Sequence, residues 1–589
     1  MTAPAPPERL CVVRVVPDLT GLDRQFDYFV PDELRDRVQI GTRVRISLNG
    51  RRVGGWVAAL GPPDPSLALD RLLPLAKVTG IGPSPDIFEL AAWAGHRWAG
   101  RLRPFLVSAS PPGAVLSLPA AHHGGPVPEP VDELASAVLL NGGGVLRRPP
   151  AADVLPAVLA ACRLGPALVV TPSVANARLL ANRLRRSGRT VALMPQEWAG
   201  AAGGVDVVIG ARGAVWAPCR GMQSVVVLDE HDEGLQEERQ PTWHARDIAI
   251  RRAEMAEVPV LFVSPCPSVS VLAAFPGERL ARPSVNDERS GWPIVEIVDR
   301  TRDEPWQKSL ATSALIRQLR DLDRTVVCVL NTTGRARLLA CRRCRALQRC
   351  ELCEAAVGQR DDSHFACSRC GTVRPPVCQS CGGSAFAALR IGITRLREEL
   401  EAAAGRPVVA VTGQDDDTEP LPPAGVYVGT EAVLHRVRRA DTVVFLDFDA
   451  ELLAPRYRSA EQAMTLIARA ARLVGGRSEG ARLLIQTFLP KHEVLDAALH
   501  ADPGRLVAKE LARRTAFGFP PAAAIAVVSG EGAADYAAGL RHFGVQVAPN
   551  LDGNVLLRAE SWDLLGDAIA GHPRPKGSRL RIEVDPPRL

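Results

Sequence analysis

Two stretches of this chain repeat one rhythm, a short wholly apolar run followed by an amphipathic stretch. From about residue 134 to 285 the runs are "ALVVTP", "VDVVIGA", "SVVVLDE" and "VPVLFVSP", and "SVANARLLANRLRRSG" between the first two is an amphipathic helix with a glycine stop. Apolar runs without alternation suit strands buried on both faces, so the pattern predicts a parallel, doubly wound α/β unit. A second unit runs from about 310 to 500 through "TVVCVLN", "PVVAVTG", "GVYVGTE", "DTVVFLDFD" and "ARLLIQT". Residues 8–110 differ: "LCVVRVVP", "QFDYFVP", "TRVRISL" and "RVGGWVAAL" alternate as β-strands do, and "SPDIFELAAWAGHRWAGRL" has helical spacing after a Ser-Pro start. Pro111 to Pro130 is rich in Pro, Gly and His and reads as a linker. From 505 the tail opens with helical "RLVAKELARR" and closes on strand-like "RLRIEVDPP".

With 589 residues the chain has room for three to five domains. Hydrophobic residues at 46% fill several cores, and aromatics at 5% make those cores aliphatic. A net charge of +6 is compatible with a nucleic-acid surface without requiring one. Arg14 and Asp18 interrupt the first apolar run, and no uncharged stretch is long enough to span a bilayer, so the expectation is a cytoplasmic chain without a membrane partner.

Eight of thirteen cysteines fall in the window 341–381, as four Cys-x-x-Cys knuckles. Two thiolates of one knuckle bind a Zn²⁺ at ~2.3 Å each, and two knuckles complete a closed tetrahedral site. Disulfides are the weaker reading, because disulfide scaffolds are short secreted chains. Four knuckles hold two ions. The spacers of 5, 13 and 7 residues favour nesting: Cys350, Cys353, Cys367 and Cys370 on one ion across the long hairpin, and Cys341, Cys344, Cys378 and Cys381 on the other. His364 is expected to be a hairpin residue rather than a ligand. Nothing is short of a partner, so the zinc is structural, not catalytic.

The order of these pieces resembles the bacterial primosomal replication restart (PriA) family of superfamily 2 fork helicases. "FDYFVP" with "GTRVRISLNGRRVGGWV", "VVVLDEHDEG", "TWHARDIAIRRA", "LNTTG", the eight cysteines and "YRSAEQ…LLIQT" follow in the family's order. The resemblance implies a β-rich N-terminal domain over 1–112 that binds a 3′ DNA end and a linker over 113–133 where the family has a winged helix. It further implies a RecA-like lobe over 134–300, a second lobe over 301–340 and 386–503 interrupted by a two-zinc module at 341–385, and a small α+β domain over 504–589. The implied partners are forked and single-stranded DNA, primosome proteins, the machinery that loads the replicative helicase, and single-stranded DNA-binding protein. The implied cofactors are Zn²⁺ and ATP.

The motor motifs depart together, which argues against ATP. A P-loop needs small residues, a phosphate-reaching Lys and an Mg²⁺-binding hydroxyl. Counted without gaps, the equivalent stretch is Asn141–Pro149, with Arg148 for the lysine, Pro149 for the hydroxyl, and Val145 and Arg147 for glycines. The arginines of the Gly-Arg-Ala-Gly-Arg motif fall on Leu473 and Gly476, the Gly-Ser-Ala-Thr motif is Val263-Ser264-Pro265-Cys266, and the arginines after Asn331 are Thr332 and Thr333. Asp229 and Glu230 keep the Walker B pattern, and without a P-loop opposite they read as structural remnants.

For DNA, Phe26 is placed to stack on a terminal base and Asp27 to accept from a 3′-hydroxyl, with Gly50 nearby by resemblance; the pocket lysine is replaced near Leu73. Phe26 and Tyr28 alternating across a half-buried strand explains the same letters. Arg436, Arg438 and Arg439, and Arg342, Arg343, Arg345 and Arg349, suit phosphate contact or, for the second group, balance of zinc–thiolate charge. The expected function is recognition of abandoned forks and primosome assembly without helicase activity. The alternatives are an ATP-dependent 3′-to-5′ helicase and a zinc-ribbon RNA-binding factor.

Overall fold

The computed structural model describes residues 11–22, 24–61, 72–302, 309–331, 338–361, 363–367, 369–388, 393–411, 420–550, 553–575, 577–587 and 589. Thr332 and Thr333 lie outside them.

The N-terminal domain is a five-stranded antiparallel sheet in the order Phe26–Phe29, Val12–Pro17, Arg51–Gly61, Arg43–Leu48, Lys77–Gly80. Asn49 and Gly50, both at positive φ (48° and 75°), make its two-residue hairpin, the conformation that matches strand twist. A seam closes the sheet on itself. Phe29 pairs with Leu73 and Leu75 through backbone hydrogen bonds (3.1 and 2.9 Å), Ala76 N–H donates to Arg45 O (3.0 Å), and the Tyr28 hydroxyl donates to Ser47 O (2.9 Å).

The segment after the helix Leu102–Ala109 carries no helix or strand among its described residues from 111 to 131, so no winged helix stands there. It is strapped along the first lobe: His122 N–H donates to Gly204 O (2.9 Å), Gly124 N–H to an Asp206 carboxylate oxygen (2.9 Å), and Arg189 to Pro126 O (3.0 Å).

The first lobe is a parallel sheet of seven strands: Leu280–Ala281, Gly144–Arg147, Val260–Ser264, Ser224–Leu228, Ala167–Val170, Val207–Gly210 and Val191–Leu193. The five strands between its two edges are buried at every position, which is why their sequences do not alternate. The second lobe is a six-stranded parallel sheet, Ile294–Asp299, Arg482–Thr487, Thr442–Phe445, Val326–Val329, Val426–Gly429 and Val409–Val411. This corrects the boundary expected at 300. Ile294–Asp299 pairs with Arg482–Thr487, so the second lobe already includes it, and the cysteine module follows that lobe's second strand rather than its first. An edge strand with no fully buried position lacks the apolar run that marks the others.

The C-terminal domain is an antiparallel sheet (Gln546–Pro549, Val555–Ala559, Ala524–Ser529, Arg581–Val584) with two helices, Ala533–Leu540 and Trp562–Gly571. One apolar core runs from the N-terminal helices Pro85–Arg97 and Leu102–Ala109 through the first lobe into this domain. Phe105 packs on Trp216 (5.2 Å) and Trp216 on Trp243 (5.6 Å), while the Trp198 indole N–H donates to Ala109 O (2.8 Å). No helix among the described residues is long and apolar enough to cross a membrane.

Candidate functional site

In a parallel α/β sheet, ligands bind beyond the carboxyl ends of the strands. The phosphate-loop position is therefore the stretch between the strand Gly144–Arg147 and the helix Leu155–Cys162, residues 148–154. This corrects the gapless count. Gly142 and Gly143 (φ +83° and +92°) turn the chain into the amino end of that strand, and Val145 and Arg147 are strand residues. The true loop reads Arg148-Pro149-Pro150-Ala151-Ala152-Asp153-Val154, without glycine, lysine or hydroxyl. Its two prolines remove N–H donors a phosphate would need. Arg148 is ion-paired with Asp132, the N-cap of the preceding helix. Arg147 is buried, bound by Glu288 (2.5 and 2.7 Å) and Asp502 (2.9 Å).

Opposite this loop, Asp229 follows the strand Ser224–Leu228 and is gripped by Arg472 of the second lobe through two hydrogen bonds (2.7 and 2.6 Å). Arg472 Nε–H donates to Pro150 O at 2.7 Å, so one guanidinium bridges the Asp229 carboxylate and the backbone of the 148–154 loop. Burial would raise the Asp229 pKa, but Arg472 outweighs it and holds the carboxyl below its ordinary value. Arg469, one turn earlier, bonds Asp232 (2.8 Å) and pairs with Glu431. Sequence reasoning missed both arginines. The gapless count looks for the family's arginines at Leu473 and Gly476, whereas Arg469 and Arg472 share one face of the helix Ser459–Val474, a spacing readable in "IARAARLVGG".

Glu230 points elsewhere. Its carboxylate accepts from Ser268 N–H (2.6 Å) and Ser268 Oγ–H (2.9 Å), and burial pushes its pKa up to about 7. Ser264 bonds His231 Nδ1 (2.7 Å), and burial drives His231 down to about 4, so the ring is neutral. Glu230 and Ser264 thus bond within the lobe.

The cysteines gather as two tetrads, Cys341, Cys344, Cys378 and Cys381, and Cys350, Cys353, Cys367 and Cys370, with all sulfurs of a tetrad within 4.8 Å. Facing pairs stand 3.6 and 3.5 Å apart in the first and 3.4 Å in the second. A tetrahedron with ~2.3 Å zinc–sulfur bonds has edges of about 3.8 Å, so both fit such an ion. Each knuckle turns alike: the residue after its second cysteine is left-handed (Arg345 64°, Glu354 60°, Gly371 78°, Gly382 71°). Its N–H donates to the first cysteine's carbonyl at 2.8–3.0 Å. Gly383 lies where a Cβ would come within 3.3 Å of Cys341 Sγ. His364 is outside both tetrads, beside Ser363. Arg369, in the third knuckle, donates to Cys353 O (3.2 Å), Ala454 O (3.0 Å) and Arg456 O (2.6 Å) and pairs with Ser459, hooking the module onto the start of the helix that carries Arg472. Arg342 and Arg343 are exposed; Arg345 and Arg349 are half-buried. Arg438 and Arg439 are exposed and Arg436 half-buried, with Arg439 facing Glu479 (3.7 Å).

In the N-terminal domain the seam sets Phe26–Phe29, Leu73 and the strand leading to Gly50 side by side. Phe26 is half-buried, with Arg24 over its ring (5.7 Å), and Tyr28 is core. Asp27 is nearly covered and ion-paired with its cross-strand neighbour Arg14 (3.1 Å). Leu73 is 49% exposed.

Residues 14–111 match the 3′ DNA-binding domain (3′BD) family of PriA. The chain is 28% identical to a "Probable replication restart protein PriA" of Mycobacterium bovis over 575 residues, 86% of this chain and 85% of that protein. Its identity to the "Replication restart protein PriA" is 27% in Thermotoga maritima (55% of this chain, 46% of that protein) and 25% in Bacillus subtilis (62% and 49%). In its 3′ DNA-binding domain, and in likeness along most of its length, the chain is similar to the replication restart proteins named PriA.

Proposed function

We propose that this chain is a replication restart protein that binds abandoned or stalled forks and acts as a platform for primosome assembly and reloading of the replicative helicase, without unwinding DNA itself. The restart role rests on the relatives and on the 3′ DNA-binding domain. The absence of a motor rests above all on Arg472, which lies where a working enzyme holds Mg²⁺ and phosphate, against a loop with no phosphate-binding group. The N-terminal barrel receives the nascent 3′ end, with Phe26 stacking on the terminal base and the Leu48–Arg51 hairpin beside it. Asp27 reaches a hydroxyl only by sharing its carboxylate with Arg14. The cysteine tetrads hold two structural Zn²⁺, which supply folding free energy to residues 341–385 and no reaction step. Single-stranded DNA-binding protein and the helicase-loading proteins are the proposed protein partners.

The test is binding of purified protein to forked DNA with and without a free nascent 3′ end, with ATP turnover measured in the same samples. The expected result is a preference for the free 3′ end that Phe26→Ala reduces, affinity that falls steeply with salt, and no DNA-stimulated hydrolysis. Equal affinity for fork and blunt duplex refutes the restart reading. Fork-dependent hydrolysis that Asp229→Asn abolishes establishes the helicase instead.

A further inference from the structure

We propose that Arg472 is a built-in occupant of the nucleotide position and that, with Arg469, it latches the two lobes closed without nucleotide. This rests on the reading that the chain is not a motor, and goes further by saying what took the motor's place. In helicase-type folds the phosphates and Mg²⁺ neutralise the Walker B carboxylate and draw the lobes together. Here a guanidinium from the second lobe does both. Its fork fits the Asp229 carboxylate through two donors, and its third, Nε–H, satisfies Pro150 O in the loop that should hold phosphate.

The latch has further points on the same helix. Glu461, Arg469 and Arg472 lie on one face of Ser459–Val474. Glu461 accepts from Val269 N–H of the first lobe (2.5 Å) and pairs with Arg514, and Arg469 reaches Asp232 of the first lobe. Arg147 of the first lobe meets Asp502 at the end of the second. The Asp229 side chain is only 10% exposed, so removing its partner leaves a buried, uncompensated charge, which the lobes relieve by parting.

The experiment follows hydrogen exchange in full-length protein over residues 148–154, 265–275 and 459–474, with and without Mg²⁺ and a non-hydrolysable ATP analogue. Small-angle scattering gives the overall dimensions. Wild type should exchange slowly and identically under both conditions. Arg472→Gln and Asp229→Asn should each speed exchange in these segments about ten- to a hundredfold, the range expected for losing a charged hydrogen-bonded pair. The charge-swapped double variant Arg472→Asp/Asp229→Arg should restore slow exchange. If a single variant disturbs folding, Arg469→Gln, whose zinc content and near-UV spectrum report an intact fold, should still open the same segments. Protection of the wild type by the ATP analogue overturns the proposal, and so does unchanged exchange in the single variants or a swap no better than either single. Those failures leave the restart reading standing, because it is decided by fork preference and turnover in unmodified protein.

Discussion

Glu230 is held by Ser268 within its own lobe, and its surroundings give a titration to measure. Its pKa is pushed up to about 7 by burial, against the usual value near 4.3, so the folded protein holds this proton where the unfolded chain has released it. The sign follows: the protonated carboxyl's contribution to stability is full below the unfolded pKa and is lost as pH rises toward about 7. Thermal unfolding of wild type and Glu230→Gln should therefore diverge across that window, with the variant less sensitive to pH; parallel curves would show that Glu230 ionises freely. Asp229 runs the opposite way. Its lowered pKa makes the Arg472 pair a stabilising element above the free carboxyl's pKa, lost as the solution is acidified. The two cysteine tetrads are readable from residue types and spacing alone, whereas Asp229 and Glu230 stand out only through the resemblance. Arg472 is missed by both, because comparison at fixed positions asks which residue stands at 473, while the geometry depends on which side chains the helix turns toward the cleft.

Elements show the same division. Long apolar runs announced most strands of both lobes, but Gly144–Arg147 hid behind three glycines, and a four-residue strand is too short to declare a period. Strand order, not glycine spacing, therefore defines the loop. The four knuckles share one backbone turn, yet only two use glycine at the left-handed position. Gly382→Ala should weaken the outer site and Arg345→Gly strengthen it, each by about 1 kcal/mol, read as the rate of zinc release to a chelator. Equal release from both variants would show that the turn carries no strain. A metal assay should find two zinc ions per chain, and Cys350→Ser should lose one of them. Arg369 ties the inner knuckle to the helix Ser459–Val474, so stripping zinc should loosen that helix as well as the module, visible as faster hydrogen exchange at its amino end.

Across the whole molecule, the 3′ DNA-binding domain is no tethered accessory. Arg97 lies between the rings of Trp98 (4.6 Å) and Trp562 (3.5 Å), and His96 meets Asp567 (3.0 Å), so the first domain and the last share a core with the first lobe. Trp562 is only partly buried, so Trp562→Ala should cost about 1–3 kcal/mol and split unfolding into two calorimetric transitions, whereas one sharp transition would mean the junction is dispensable. The sequence marked the domains but not this junction, since nothing in a local pattern says which distant surface an aromatic residue meets. The junction also constrains how the chain comes to be made. His96 and Asp567 are 471 residues apart, which at about 5–20 residues per second separates their emergence from the ribosome by roughly half a minute to a minute and a half. Through that interval the amino-terminal helices can pack on the first lobe, but the face that meets Trp562–Gly571 lacks its partner, so that part of the core closes only once the C-terminal domain is synthesised.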